Sequence, residues 1–553
     1  MQVRIRIPRP PDNGRSSHSP VVSALIQNTA ATKSRPALGA STRVALGILG
    51  SRLTGLVKER VIAHFFGDSA IADAFRAAIR IPNLLSNLFG EGVLSASFVT
   101  VYSKLRATRQ DEEAEHLAAA VFGILSLVCS VLVAAGVLLS PVLIDLIAPG
   151  FKGEVRVLTI HIVRILFPGT GLLVMSAWCL GVLNSHRRFL LSYLAPVAMN
   201  VTMILALVFL GGHSAQSDLV IDLAWAVVVG AGLQFLVQLP SVLKFLPAFR
   251  PVFETSSVYV RSVMRNFGPI FISRGVVQIS AYVDSMIASL LPTGAVAALG
   301  YGQVISVMPV SLFSMSVSAA ELPTLSSAVG SQEEVADFLR RRLSAGLRRI
   351  AFFIIPSAVA FLVLGDVLAA FIYQSGRFHH ADAVYVWSVL AGSAVGLLAT
   401  SLGRLYSSAF YALLDTKTPL RFAIIRVALT IGLGCLFALP LPHWIGIDQK
   451  WGVAGLTVSA GIAGWVEFAL LRRGLARRIG KIPLPPVFVL KLWSMAFLGS
   501  ALGYGVKMLL GTAHPVLLAC LVIPLYGAVY FGGTALLGIP ESRNTITSVL
   551  RRF

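Results

Sequence analysis

The chain has 553 residues, 56% of them hydrophobic and only 13% charged, with 46 Lys and Arg against 25 Asp and Glu for a formal net charge of +21. A soluble globular domain carries about a quarter charged residues, so this balance excludes one. Apolar runs of bilayer-spanning length recur along almost the whole chain, which reads as an all-α, polytopic membrane protein.

Residues 1–40 are rich in Pro, Ser and Arg and read as a disordered basic cytoplasmic tail; Val21 to Ile26 is too short for the apolar region of a cleavable signal. About fourteen spans follow, centred near Leu53, Leu88, Leu132, Val174, Leu205, Val228, Ile279, Met315, Ile355, Leu390, Ile431, Ala460, Ala496 and Pro524. They group as a six-helix lobe over 41–250, a second over 251–480, and two extra spans with a short cytoplasmic tail over 481–553. The join is the Pro- and charge-bearing stretch from Lys244 to Arg265. Transporters are commonly built from such repeats, with substrate held between them. A weak internal echo supports this: Pro82 and Pro309 each lead into a small, polar run in the second span of their half. Pro82 is expected to kink its helix.

The basic residues concentrate in every second connection, among them Lys104 to Arg109, Lys244 to Arg265, Arg340 to Arg349 and Arg472 to Lys481. Connections between these, such as Gly211 to Asp218 and Pro292 to Gly294, are nearly free of Lys and Arg. The positive-inside rule then places both termini in the cytoplasm. Basic loops at that face attract anionic headgroups, so the charge excess needs no nucleic acid.

Within this apolar background Asp73, Arg76, Arg80, Asn83, Asn87 and Glu91 follow at steps of three or four, which places them on one face of one helix. The stripe runs roughly 27 Å, close to the thickness of a hydrocarbon core. The preceding span carries Arg52, Lys58 and Glu59; Arg52 and Glu59 share a face and Lys58 points elsewhere. An ionised side chain facing lipid costs at least about 2.5 kcal/mol, so these groups belong in a watery cavity inside the bundle. The alternative is structural pairing, Arg52 with Glu59 and Asp73 with Arg76 and Arg80. The second half offers less intramembrane charge, chiefly Arg274 and Asp284, which lie roughly 15 Å apart along one helix.

Other chemistry is sparse. No Gly-rich phosphate loop and no His-Glu-x-x-His or Cys-x-x-Cys signature occurs, so no cofactor or metal is expected and an enzyme is the least favoured class. Cys129, Cys179, Cys435 and Cys520 stand alone in apolar segments and read as buried packing residues.

The run from Gly50 to Gly92 resembles the MurJ (MviN) family of the multidrug/oligosaccharidyl-lipid/polysaccharide exporter superfamily. It is carried by Ser51-Arg52-x-x-Gly55, Asp73-Ala74-Phe75, Pro82-Asn83-Leu84-Leu85 and Phe89-x-Glu91-Gly92. Ala148 to Phe151, Gln278-Ile279 with Asp284, Leu322-Pro323, Gln374-x-Gly376-x-Phe378 and Asp415 to Pro419 look similar. The resemblance implies a fourteen-span inner-membrane flippase that carries a lipid-linked peptidoglycan precursor, lipid II, to the periplasmic leaflet by alternating access. It also implies a cationic cavity lined by the first, second, seventh and eighth spans, with Gln303 among its groups. Arg52 matches an essential family arginine; Lys58 and Glu59 stand where arginine and aspartate are usual. Ser86 and Asn87 replace an arginine pair, Gly302, Gln303 and Val304 stand in a Tyr-x-Asp-Arg motif after Tyr301, and Ser285 replaces an arginine. Arg76 or Arg274 would then compensate. Gly434 stands where a partner of Asp284 in a sodium site is common. Rival readings are export of another polyprenyl-linked saccharide, or a transport-inactive scaffold for cell-envelope synthesis proteins. Expected partners are the lipid-linked oligosaccharide and membrane lipids, with no nucleic acid.

Overall fold

The computed structural model describes residues 38–327, 331–413, 415–511 and 514–550; within these, side chains 38–49, 90–93, 95–96, 189, 193, 266, 268–281, 323, 332, 546 and 548–550 are outside the description. Nearly all of tail 1–40 therefore lies outside the described residues, as do the side chains of Glu91 and Arg274.

Among the described residues the chain is all helix. The first lobe comprises α1 (Leu38–Phe66), α2 (Ala70–Asn87), a wide-turn stretch π1 (Leu88–Val99), α3 (Thr100–Ala107), α4 (Asp111–Leu138), α5 (Ser140–Ile147), α6 (Gly153–Ser185), α7 (Phe189–Leu210) and α8 (Gln216–Leu243). The second comprises α9 (Val258–Ala288), α10 (Ala295–Pro309), π2 (Val310–Met315), α11 (Ser316–Ser326), α12 (Gln332–Val363), α13 (Gly365–Tyr373), α14 (His380–Ala412), α15 (Lys417–Ala438), α16 (Pro440–Trp444) and α17 (Gly452–Ile479). The helices α18 (Pro486–Leu510), α19 (Pro515–Leu536) and α20 (Pro540–Leu550) complete it.

Eleven helices among the described residues are long and apolar enough to cross a membrane. α1, α9 and the continuous α2–π1–α3 rod are also of spanning length; the rod carries the charged stripe, and α1 and α9 carry the other intramembrane charges singled out above. Long apolar side chains such as Leu138, Leu509 and Leu536 are more than three-quarters exposed on the outside of the bundle, where acyl chains replace water. The same surface corrects the reading of the cysteines: Cys129 and Cys179 are buried, but Cys435 and Cys520 are exposed, because their helices turn that face outward.

Packing repeats between the halves. In the first, α1 packs on α7, α2 on α6, α4 on α6, and α8 on both α6 and α7. In the second, α9 packs on α15, α10 on α14, α12 on α14, and α17 on both α14 and α15. α18 and α19 pair with each other and lean on α12 and α13. The Pro82 and Pro309 echo has a structural counterpart as well. α2 passes through Pro82 without ending and widens into π1 at Leu88, whereas α10 widens into π2 directly after Pro309. A widened turn shifts the face presented by every later residue and leaves local carbonyls imperfectly matched, a frequent device at functional sites.

Candidate functional site

A cavity of about 840 Å³ lies between the lobes, walled by α1 and α2 on one side and α9 and α10 on the other. α1 contributes Arg52, Gly55, Lys58 and Glu59, and α2 contributes Arg76, Ile79, Arg80, Asn83 and Asn87 at helical spacing. Ser69 starts α2 by accepting the Ala72 N–H at 3.3 Å, which fixes the register of this face. Tyr282 comes from α9, and Gly300, Gln303, Val304, Val307 and Met308 come from α10. Four cations thus stand against one carboxylate among the described lining residues.

Their pairing differs from helical-wheel expectation. Glu59 is buried and bridges Lys58, with Nζ to Oε1 at 3.0 Å, and the guanidinium of Arg76. Arg52 is not its partner: it is exposed to the cavity and makes no hydrogen bond or ion pair among the described residues. Lys58, expected on another side, reaches the cavity because its four-carbon stem bends toward Glu59. Arg76 also lies over the Tyr301 ring, 4.5 Å from guanidinium carbon to ring centroid, and passes across Gly300, where an added Cβ would meet its Cδ at 3.1 Å. Stacking between a guanidinium and a phenol ring is favourable and gains strength on desolvation. Arg80 approaches Gln303 Oε1 at 3.5 Å, and the Tyr282 hydroxyl donates to the Arg80 carbonyl at 2.9 Å.

Asp73 does not line the cavity. It is buried at the end of α2 beyond Arg76, where its two oxygens accept the N–H groups of Gly294 at 2.6 Å and Ala297 at 2.7 Å. It therefore caps the start of α10 instead of pairing with Arg76 or Arg80, and Gly294 supplies the left-handed φ of +95° that the turn requires. Neighbouring contacts close this end of the cavity. The Tyr301 hydroxyl donates to the Gly67 carbonyl and the Tyr373 hydroxyl to the Tyr301 carbonyl, each at 3.1 Å. Arg60 donates to the carbonyls of Phe371 and Ile372, and the Arg377 N–H to the carbonyl of His64. Asp284 stands near enough to Arg80 and Arg426 for their charges to act on it, but it is not a lining residue, and its buried Oδ1 has no hydrogen-bond partner among the described residues.

The cavity thus gathers Arg52, Lys58, Glu59, Arg76, Arg80, Asn83, Asn87 and Gln303, and leaves Asp73 and Asp284 outside its wall. Of the replaced positions, Asn87 and Val304 face it and Ser86 does not. Tyr282 and Tyr301 escape a sequence reading that searches for charge; their signal is an aromatic hydroxyl toward one end of an apolar span. No cluster of three His, Cys, Asp or Glu able to hold a metal occurs among the described residues.

Comparison with known proteins follows the same outline. The family model described as "Lipid II flippase MurJ" matches residues 62–523. The lipid II flippase MurJ of Burkholderia cenocepacia is 32% identical over 435 residues, 77% of this chain and 81% of that one. A probable lipid II flippase MurJ of Rhizobium meliloti is 30% identical over 502 residues, 87% and 90% of the two chains. Among solved structures, a lipid II flippase MurJ in an inward closed conformation superposes with a TM-score of 0.75 at 24% identity, covering 91% of this chain and 99% of its own. An inward-facing MATE family multidrug transporter of the MOP superfamily follows at 0.61 and 17% identity, covering 79% and 98%. With a family model spanning most of its length and relatives aligned through both lobes, the chain belongs to the lipid II flippase MurJ family.

Proposed function

We propose that this chain is a lipid II flippase of the bacterial inner membrane, with fourteen spans and both termini cytoplasmic, carrying the diphosphate-sugar headgroup to the outer leaflet by alternating access. The carrying observation is the convergence of Arg52, Lys58, Arg76 and Arg80 on one cavity whose only carboxylate among the described lining residues, Glu59, is already engaged. A diphosphate requires fixed donors in a space that water can reach, and a guanidinium grips its oxygens in a bidentate fork. Arg52, which has no partner among the described residues to give up, makes the first contact. Arg76 supplies from α2 a cation that Val304 does not supply from α10, held against α10 by Tyr301. The end sealed by Asp73, Gly67 and Arg377 is external by the positive-inside rule, so this state awaits substrate from the cytoplasm.

The test is transport by Arg52→Ala and Arg52→Lys variants in cells depleted of their own flippase. Arg52→Ala should abolish rescue at unchanged protein abundance, and Arg52→Lys should retain part of it, because charge survives without the fork. Reduced abundance restored by Glu59→Ala would make Arg52 structural. Co-purification of a different polyprenyl-linked saccharide would redirect the substrate while keeping the cavity's role.

A further inference from the structure

A second cavity, of about 770 Å³, lies far from the first, at the end of the bundle that carries the arginine-rich connections. It is formed where α12, the linker after α17 and the start of α20 meet, and four of its lining residues are cations: Arg340, Arg341, Arg348 and Lys481. Two carboxylates also line it, and both are consumed. Asp337 pairs with Arg340, which also donates to the Ile479 carbonyl at 2.9 Å. Glu541 accepts Arg348 Nε at 2.8 Å, while that guanidinium lies over the Phe488 ring. Arg341 and Lys481 are exposed to the opening and make no hydrogen bond or ion pair among the described residues.

The pocket has a built floor. Gly480 adopts φ +84°, a backbone conformation that favours glycine, and the linker passes close to the Arg340 guanidinium, 2.6 Å from where a Cβ would stand. The Ser344 hydroxyl donates to the Pro483 carbonyl at 2.7 Å and pins the next turn of the linker. Within two turns of Pro483, α18 exposes Val487 and Leu490, both more than three-fifths accessible on the lipid-facing surface. A pocket with four cations against two carboxylates, two of the cations in no direct ion pair among the described residues, beside exposed apolar residues of α18, matches a phosphate with acyl chains attached.

We infer that this pocket binds the phosphate of an anionic membrane phospholipid, of the phosphatidylglycerol type, at the cytoplasmic surface between the second lobe and the two C-terminal helices. A zwitterionic headgroup would bring an ammonium against Arg341 and Lys481 and find no free carboxylate to receive it. The inference does not depend on which lipid the central cavity transports.

The experiment measures thermal unfolding of the full chain in phosphatidylcholine micelles titrated with phosphatidylglycerol, reading apparent affinity from the rise in midpoint. Phosphatidylglycerol should stabilise, and the double variant Arg341→Ala/Lys481→Ala should weaken its apparent affinity about tenfold or more. Both side chains are exposed and make no hydrogen bond or ion pair among the described residues, so the variant should melt with wild type in phosphatidylcholine alone; if it does not, Arg341→Lys, which keeps the charge, must retain the response. A control, Arg421→Ala/Arg473→Ala, removes two other exposed cations and should leave affinity within about twofold. An equal loss in the control would reduce the effect to general surface charge and overturn the site. So would a chain that phosphatidylglycerol stabilises no more than phosphatidylcholine does. Saturation by millimolar inorganic phosphate that abolishes the response would assign the pocket to a free anion and overturn the lipid.

Discussion

The second long helix of each lobe has the same build and a different inventory. α2 runs through Pro82 into π1, and α10 runs to Pro309 and into π2, yet α2 turns Arg76, Arg80, Asn83 and Asn87 toward the cavity where α10 presents Gly300, Gln303, Val304, Val307 and Met308. The widened backbone is present in both copies, while the charge that lines the cavity is concentrated in one. Elsewhere in the second lobe charge serves structure: Asp415 accepts the N–H groups of Lys417 at 3.1 Å and Thr418 at 3.0 Å at the start of α15, and pairs with Arg478. A repeat that duplicates a fold is free to divide the chemistry unevenly, because the backbone device depends on local geometry and the cations on a shared cavity.

The largest expected break of this comparison, after Arg52→Ala, is Arg76→Ala. Charge-assisted contacts contribute about 1.5–3 kcal/mol each, so transport should fall about tenfold to hundredfold. Val304→Arg in the same background should recover much of it by returning a cation to α10. Failure of that second change, with Arg76→Ala equally inactive, would mean that Arg76 acts through Glu59 instead of on substrate. Next in size are the replaced arginines. Only Asn87 of the Ser86–Asn87 pair faces the cavity, so Asn87→Arg should raise transport in the depleted cells up to about tenfold and Ser86→Arg should not. Equal gains would show that the faces have been misassigned.

Gly300→Ala should act more gently. The added methyl stands 3.1 Å from Arg76 Cδ, so this side chain must give by a few tenths of an ångström and its seat over the Tyr301 ring is disturbed; transport should fall roughly twofold to fivefold with little change in melting temperature. Asp415 is the opposite case, because its loss should touch stability and spare transport. Partial burial opposes its ionisation, but hydrogen bonds from Thr418 and the Arg478 guanidinium prevail and hold its carboxyl below the usual carboxylate range. A depressed value means that the contribution is present above the unfolded pKa of about 3.9 and is lost as pH falls through the folded value. Asp415→Asn should therefore cost about 1–2 kcal/mol at pH 7, read as a lower melting temperature, with the gap to wild type constant down to pH 5 and closing below about pH 4.

Helical periodicity made the cavity face of α2 legible, because residues three and four apart share a side whatever surrounds them. It failed where a side chain's partner lies on another helix. Glu59 belongs to Arg76, seventeen positions on, and Asp73 belongs to backbone N–H groups more than two hundred residues away, neither of which a single wheel contains. Lys58 was misplaced because a wheel locates Cβ and not the end of a long stem. α2 continues through Pro82 and its widened stretch begins at Leu88, a change of geometry that the proline alone does not locate.

The seal beside Asp73 rests chiefly on peptide groups: carbonyls of His64, Gly67, Tyr301, Phe371 and Ile372 accept, and the N–H groups of Gly294, Ala297 and Arg377 donate. No pair of opposite side-chain charges spans it among these contacts, and dissolved ions screen buried groups far less than exposed ones. Raising ionic strength should therefore weaken the grip of the cavity on an anion while leaving the closure almost untouched. The lock and the ligand answer to different solution conditions.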